Sequence, residues 1–421
     1  MKKITKKPFK PELLAPISDF TSLTAAIAAG TDAVYFGIKT LNMRAKAENF
    51  NTADMKKIAD ICHKNKIKAY LALNIMIYDN ELNTVENLLK KAKQSGIDAV
   101  ICWDHSVITL AKKLKLPIHL STQASVSNFE ALKFYYKQGI RRFVLARELN
   151  LKQINSMITK IKKEKLKAEI EVFIHGARCI SVSGRCYLSQ DVYKQSANRG
   201  HCLQVCRRSF IIKDKEDNYE LEVDNEFVLS PKDLCTIPIL PQIIDSGINS
   251  FKIEGRKRKP EYVKTVVECY RQAIDFILDN KNKTNFNKEY DKLSKQLVKR
   301  LESVYNKGFS TGFYLGIPLK EDHSGLYGSK ATTKKEFIGI VKNYYKKIGV
   351  AEILCQSRGF KKHDKIQIQG PTTGVVDLNA EDMQIDGKSA DNALKGKRIG
   401  LKTNTLVRSN DKVYKIIKLR R

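Results

Sequence analysis

The chain has 421 residues, 42% of them hydrophobic, and a formal net charge of +31. That length supplies two or three domains with an ample core, and so large a basic excess favours an anionic partner, above all nucleic acid. A run of about 18 apolar residues is missing, which argues against a helical membrane span, and the basic start MKKITKKPFKPELLAP lacks the apolar stretch of a signal peptide.

Short apolar runs alternate with amphipathic segments from the beginning. ELLAPI (12–17), AVYFGI (33–38), KAYLALN (68–74), AVICWD (99–104), IHLST (118–122), RFVLA (142–146), EIEVFIH (169–175) and SFKIEG (250–255) read as strands. Between them FTSLTAAIAAG, DMKKIADICHKN and LNTVENLLKKAKQSG carry helical periodicity, the first and third stopped by Gly30 and Gly96. The unit helix–Gly–x–strand recurs in AAGTDAVYFG, QSGIDAVICW, KQGIRRFVLA and DSGINSFKIEG. Such units imply a parallel sheet, because parallel strands need crossover helices. Eight strands with helical crossovers over roughly 250 residues suit a TIM-type (β/α)8 barrel, with a doubly wound open sheet as the alternative. Residues 176–249 form a long insertion between the seventh and eighth strands, and long insertions at a barrel's top are usually functional.

Beyond Pro260, EYVKTVVECYRQAIDFILDNK is a long amphipathic helix. From about 334 the pattern changes to short alternating strands separated by Gly and Asn/Asp turns, the mark of a small β-barrel or sandwich. The expected division is a catalytic barrel over 1–282, a helical linker over 283–333 and a small β-barrel over 334–421.

Barrel enzymes place their chemistry at the C-terminal strand ends. Here those ends carry Asn74, Asp104, His105, Thr122, Gln123, Arg147, Glu148, His175, Glu254 and Arg256, and the segment after the second strand adds Asn42, Arg44 and Asn49. Amides, arginines and carboxylates on one rim suit an anionic, oxygen-rich small molecule. Some of these side chains are expected only to cap helices.

Five cysteines fall in the insertion with spacing C-x6-C-x15-C-x3-C-x28-C: Cys179, Cys186, Cys202, Cys206 and Cys235. In a reducing cytosol structural disulfides are rare, so metal binding comes first. Four thiolates hold an iron–sulfur cluster or a structural zinc. The wide spacing fits a cluster wrapped by a loop better than a zinc knuckle, and Gly176, Ser181, Ser183 and Gly184 let that loop approach closely. Cys62, Cys102, Cys269 and Cys355 lie in helix or strand patterns and read as core residues. His175 beside Cys179 is a weak candidate for a nucleophilic pair, and the chain has no HExxH, GxSxG or P-loop.

The stretches ELLAP (12–16), AAGTDAVYFG (28–37), NMRAKAENF (42–50), EVFIHGARCISVSGRCYLS (171–189), RGHCLQVCRRSF (199–210), SPKDLC (230–235) and FKIEGRKRKPEYV (251–263) resemble the collagenase-like peptidase family, the U-thirty-two type. The resemblance spans nearly the whole chain. Members similar to this chain hydroxylate C5 of the wobble uridine of tRNA without molecular oxygen, using a 4Fe-4S cluster and prephenate. Sister branches act on ribosomal RNA or on the ubiquinone ring. The resemblance implies Cys179, Cys186, Cys202 and Cys235 as metal ligands, with Cys206 an alternate. It leaves His175, Glu254 and Arg147 as candidate catalytic residues and Arg44, Asn74, Gln123 and Arg256 as substrate-binding ones. It also implies tRNA as partner, a cytoplasmic location and an oligomer with itself or with a paralogue. The alternatives are a peptidase, as the family's name suggests, and a non-catalytic RNA-binding module with structural zinc.

Overall fold

The computed structural model describes residues 9–44, 48–211 and 229–419. Its first part is a closed parallel barrel. The strands are β1 (Glu12–Pro16), β2 (Ala33–Phe36), β3 (Lys68–Ala72), β4 (Ala99–Cys102), β5 (Ile118–Leu120), β6 (Arg142–Val144) and β7 (Glu169–Gly176). After the short β8 (Asp233–Cys235), β9 (Ser250–Ile253) inserts between β7 and β1, parallel to both, and closes the ring. Each of the eight expected strands is present, because each is an apolar run buried on both faces, as a parallel strand under helices must be.

Helices α1 (Phe20–Ala28), α2 (Asp54–Lys64), α3 (Leu82–Gln94), α4 (His105–Lys113), α5 (Phe129–Lys137) and α6 (Leu151–Lys163) cover the outside. Several begin at a side-chain cap: Asp19, Asp104, Asn128 and Asn150 each accept a backbone N–H of the first turn. Asp104 is therefore a cap rather than a free rim carboxylate. The insertion contributes the short α7 (Leu188–Tyr193), and α8 (Leu240–Asp245) leads into β9.

The foot of the barrel is ionic. Arg142 donates from Nε to Glu169 (2.7 Å), pairs with Glu12 and lies 3.8 Å from Glu171. Lys252 Nζ donates to Glu171 at 2.7 Å. Register explains the meeting: Ser250 stands opposite both Glu12 and Glu171, and its hydroxyl donates to Glu12 at 3.1 Å.

Residues 283–333 differ from the expected linker. The long α9 (Pro260–Asn280) packs against α10 (Phe286–Leu301), whose Tyr290, Leu297 and Leu301 are buried in the barrel's own hydrophobic core. β10 (Phe309–Ser310) then pairs with β8, and the Tyr314 hydroxyl donates to the Phe173 carbonyl at 2.6 Å. An amphipathic helix of this length buries its apolar face where one is offered, and α9 offers it.

The C-terminal part is antiparallel: β11 (Thr333–Tyr345), β12 (Val350–Cys355), β14 (Lys365–Gly370), β15 (Gly374–Asn379), β16 (Met383–Ile385), β17 (Lys388–Ser389), β19 (Arg398–Lys402) and β20 (Lys412–Lys418), with β13 (Phe360–Lys361) and β18 (Asn392–Ala393) as a separate short pair. The main sheet runs β15-β14-β20-β11-β12-β19-β16-β17 and wraps a core of its own. Among the described residues no helix is long and apolar enough to cross a membrane.

Candidate functional site

The C-terminal strand ends enclose a cavity of about 90 Å³, lined by side chains from seven of the eight barrel strands or the residues just after them and from the insertion. Seven of its residues are cationic: Arg44, Arg147, Arg178, Arg207, Lys252, Arg256 and Lys257. One is a carboxylate, Glu254. Phe173, Tyr35, Met43 and Ile101 supply apolar wall, so the charges act in a poorly screened space.

The cations are held in place by a small number of bonds. Arg44 Nη2 donates to Glu254 Oε1 at 3.2 Å. The fully buried Asn42 accepts at Oδ1 from the Arg44 backbone (2.9 Å) and from Arg256 Nη1 (3.1 Å), tying the two arginines together. Arg147 donates to the Ala177 carbonyl at 2.9 Å and lies 3.8 Å over the Phe173 ring. Asn74 donates to Gln123 at 2.9 Å. Three buried N–H groups at this rim have no partner among the described residues: Gln123 Nε2, Arg147 Nε and Arg256 Nε. Unmade buried donors cost about 1–3 kcal/mol each, so the cavity is built for an acceptor-rich guest.

Burial pushes the Glu254 carboxyl up, but Arg44, Arg256 and Arg147 together override it and hold the group down at about 2. Glu254 is an anion throughout the physiological range. Lys252 and Lys257 are both pushed down by burial, against the pull of nearby carboxylates.

The insertion reaches over this cavity through two glycines. Gly176 has φ +104°, and a Cβ there would strike the Glu254 carbonyl. Gly184 has φ +98°, and a Cβ would strike the end of Met43. Cys179, Cys202 and Cys206 line the cavity. The Cys206 thiol is pushed up to about 11, first by burial and then by Cys179, Cys202 and Cys186, with Arg207 acting in the opposite direction. The Cys206 thiol thus feels three other sulfurs of the insertion. Lys257 Nζ donates to the Cys202 carbonyl at 2.9 Å, and the Cys186 N–H donates to Asn198 at 3.2 Å.

Three expected site residues are not part of the cavity lining: Cys186, His175 and Cys235. His175 is buried against α9, with Nδ1 3.3 Å from the Tyr270 hydroxyl and its ring packed on Tyr270 and Phe309. Burial, helped by Arg258, lowers its pKa to about 3, so it is a neutral core histidine. Cys235 pairs with it across β7 and β8 and faces the same way, its Sγ 4.0 Å from the Tyr270 hydroxyl. The cause is a register irregularity between Phe173 and His175. Glu171 and Phe173 point into the barrel, and strict alternation would bring His175 in after them. The irregularity turns it out, as a bulge does. The His175–Cys179 pair is therefore not formed, and Cys206 lines the cavity while Cys235 does not.

Residues missing from the sequence-based set are Tyr35, Lys252, Lys257 and Arg207. A lysine inside the apolar strand SFKI was the available signal for Lys252. Among the described residues no three His, Cys, Asp or Glu side chains form a ready-made site for one metal ion.

Peptidase family U32 matches residues 18–324. The chain belongs to this family. A collagenase of Porphyromonas gingivalis is 41% identical over 414 residues, covering 97% of this chain and 98% of its own. The tRNA hydroxylation protein P1 of Bacillus subtilis is 35% identical over 376 residues, covering 87% of this chain and 85% of its own. The tRNA hydroxylation protein P of Escherichia coli is 28% identical, with 89% of each chain covered. The U32 relatives thus carry two kinds of name, proteolytic and RNA-modifying, and the site's chemistry has to separate them.

Proposed function

We propose that this U32 protein is a tRNA-modifying enzyme that hydroxylates C5 of the wobble uridine without molecular oxygen, using a 4Fe-4S cluster and prephenate as the hydroxyl donor. The observation that carries the reading is the mouth of the barrel, where thiols of the insertion and seven cations face one small cavity. RNA-hydroxylating relatives support it, as does the net charge of +31.

Cys179, Cys186, Cys202 and Cys206 are the residues that would hold the cluster. A cubane takes one thiolate on each of four irons, and the insertion carries enough cysteines to supply four. When bound it would supply electron-transfer chemistry beside the substrate. The remaining work falls to the chain. Arg44, Arg147 and Arg256 present the N–H forks that bind carboxylates, and the unpartnered Nε atoms of Arg147 and Arg256 are free to donate. Glu254, an anion at neutral pH, fixes Arg44 and can accept a proton but has none to give. Asn74 and Gln123 offer amide groups to a base edge or a hydroxyl. Phe173 and Tyr35 exclude water from the floor.

The peptidase alternative rests on relatives named collagenase. It needs a nucleophile within reach of a base, and the pair it would have used is split between two faces of the barrel. Incubating the purified protein with gelatin tests it directly, no cleavage being the expected result.

The test of the proposal is nucleoside mass spectrometry of tRNA from a strain lacking this protein and any paralogue. Loss of 5-hydroxyuridine derivatives, restored by the wild-type chain and not by the Arg147→Ala variant, is expected. Full modification in the deletion strain overturns the reading. Anaerobic purification with about four irons and four sulfides per chain supports the cluster; a colourless protein with zinc removes it.

A further inference from the structure

A second cleft, of about 860 Å³, lies between the barrel and the C-terminal sheet. Its barrel wall is the Lys257–Glu268 stretch that opens α9, together with α10 and the residues after it. Its other wall is β11, β14, β15 and β20. The walls are fixed to each other by polar bridges. Lys335 donates to Glu261 at 2.8 Å, Gln369 Nε2 donates to the same carboxylate at 3.1 Å, Lys264 pairs with Asp377, and Thr24 donates to the Pro371 carbonyl at 2.7 Å.

Those bridges use up the acids of the cleft. Glu261 is committed to Lys335, Glu268 to Arg300 and Asp377 to Lys264. The cations left over are the point. Arg258, Lys365 and Lys418 have no carboxylate partner among the described residues, and Lys259 has only a 3.6 Å contact with Glu48 between two exposed side chains. Arg258 is pre-set: its guanidinium lies 3.6 Å over the Tyr305 ring. An arginine stacked in this way keeps its edge N–H groups free for a phosphate. Lys257 lines this cleft and the cysteine-lined cavity alike, so the two are neighbours joined by one cation.

We infer that the interdomain cleft is the track for the RNA backbone that flanks the nucleotide held at the barrel mouth. This deepens the proposed function and rests on it. The occupant is single-stranded RNA. A groove of unpaired cations follows a phosphate chain without reading its sequence, and a nucleotide entering a barrel must be splayed out of any helix. Arg258 and Lys257 meet the phosphates nearest the reacting base; Lys259, Lys365 and Lys418 meet those further along. The C-terminal sheet thereby has a task in catalysis that its distance from the cysteines would not suggest.

The experiment is a salt titration of tRNA binding by the full chain, read by fluorescence anisotropy with a labelled, unmodified tRNA transcript carrying uridine at the wobble position. The cleft variant combines Lys259→Ala, Lys365→Ala and Lys418→Ala, three exposed side chains. A control combines Lys91→Ala, Lys112→Ala and Lys137→Ala, exposed on α3, α4 and α5. Each lost contact with a single strand lowers the slope of log K against log salt by about 0.7, so the cleft variant should lose about 2 in slope and roughly 50-fold in affinity at 0.15 M salt. The control should match the wild type. If the triple variant melts early, Lys365→Gln with Lys418→Gln repeats the test with a slope change of about 1.4. A cleft variant that binds like the wild type overturns the inference and leaves the RNA reading standing. A wild-type chain that fails to bind the transcript even at low salt overturns both.

Discussion

The two ends of the barrel are both full of charge, and they use it in opposite ways. At the foot, Arg142 and Lys252 are set against Glu12, Glu169 and Glu171, and the charges largely cancel within bonding distance. At the mouth, six further cations face the single carboxylate of Glu254, and buried N–H groups go without partners among the described residues. The foot is complete by itself. The mouth becomes complete only with an anionic guest. In this fold conservation of structure belongs to one end and chemistry to the other, and here the sign of the unpaired charge tells them apart.

Breaking the foot should therefore unfold the protein, and this is the largest effect expected. Glu171→Ala leaves Lys252 and part of Arg142 buried without their anion, which costs about 3–5 kcal/mol. Urea denaturation should show the midpoint falling. Pairing it with Lys252→Met should recover most of the loss, because a buried ion pair is replaceable by apolar groups of similar volume. A double variant no better than the single one would mean that the foot contributes by geometry rather than by charge cancellation.

Next in size is the pH dependence at Glu254. Its folded-state pKa, about 2, lies below the ordinary glutamate value near 4.3. The stability it contributes is therefore present above about pH 5 and is lost as pH falls through 4 towards 2. The shift corresponds to about 3 kcal/mol. Wild type and Glu254→Gln should differ by roughly that much at pH 7 and converge at pH 2 to 3. A constant difference across this range would show that the carboxylate is not ionised against Arg44.

The cysteines give a smaller change in stability with a sharper readout. Cys235→Ala opens a one-atom gap in a packed core and should cost about 1–2 kcal/mol, with the iron content of anaerobically purified protein unchanged. Cys206→Ala should leave the melt nearly alone and lower the iron content. The reverse pattern would return Cys235 to the ligand set and require β8 to turn over.

The facing of His175 and Cys235 marks the limit of what the amino-acid sequence could reveal. The barrel was legible because each of its eight strands is a solid apolar run and four of them follow a Gly-stopped helix, a pattern that survives any detail of packing. Arg44, Asn74, Gln123, Arg147, Glu254 and Arg256 were legible because a strand's end is visible in its composition and this fold puts all such ends together. The facing of His175 was not, since it depends on one register slip beside β9 that no local composition encodes. Cys235 shares that fate because it pairs with His175. Residues 283–333 looked like a linker because the apolar face of α10 is apolar only in relation to α9. The foot network was hidden for a similar reason: Glu12, Arg142, Glu171 and Lys252 are far apart in the chain and become partners only through register.

The smallest change in stability is expected at Arg147. Its guanidinium rests on Phe173 and donates once to the Ala177 carbonyl, while Nε is buried and unpaired. Arg147→Ala loses that packing and one bond, but it also removes one of seven like charges and one unmet donor. The terms offset, and the stability change should lie within about 1 kcal/mol either way. Activity should respond quite differently. Removing one preorganised donor from such a site costs about 100-fold in turnover, so under the proposed function tRNA hydroxylation in a complemented deletion strain should fall to near background with the protein fully folded. Arg142→Ala at the foot should do the opposite, lowering the melt strongly while any protein that remains folded keeps its turnover. If both variants lost stability and activity in the same proportion, the division of labour between the two ends of the barrel would fail.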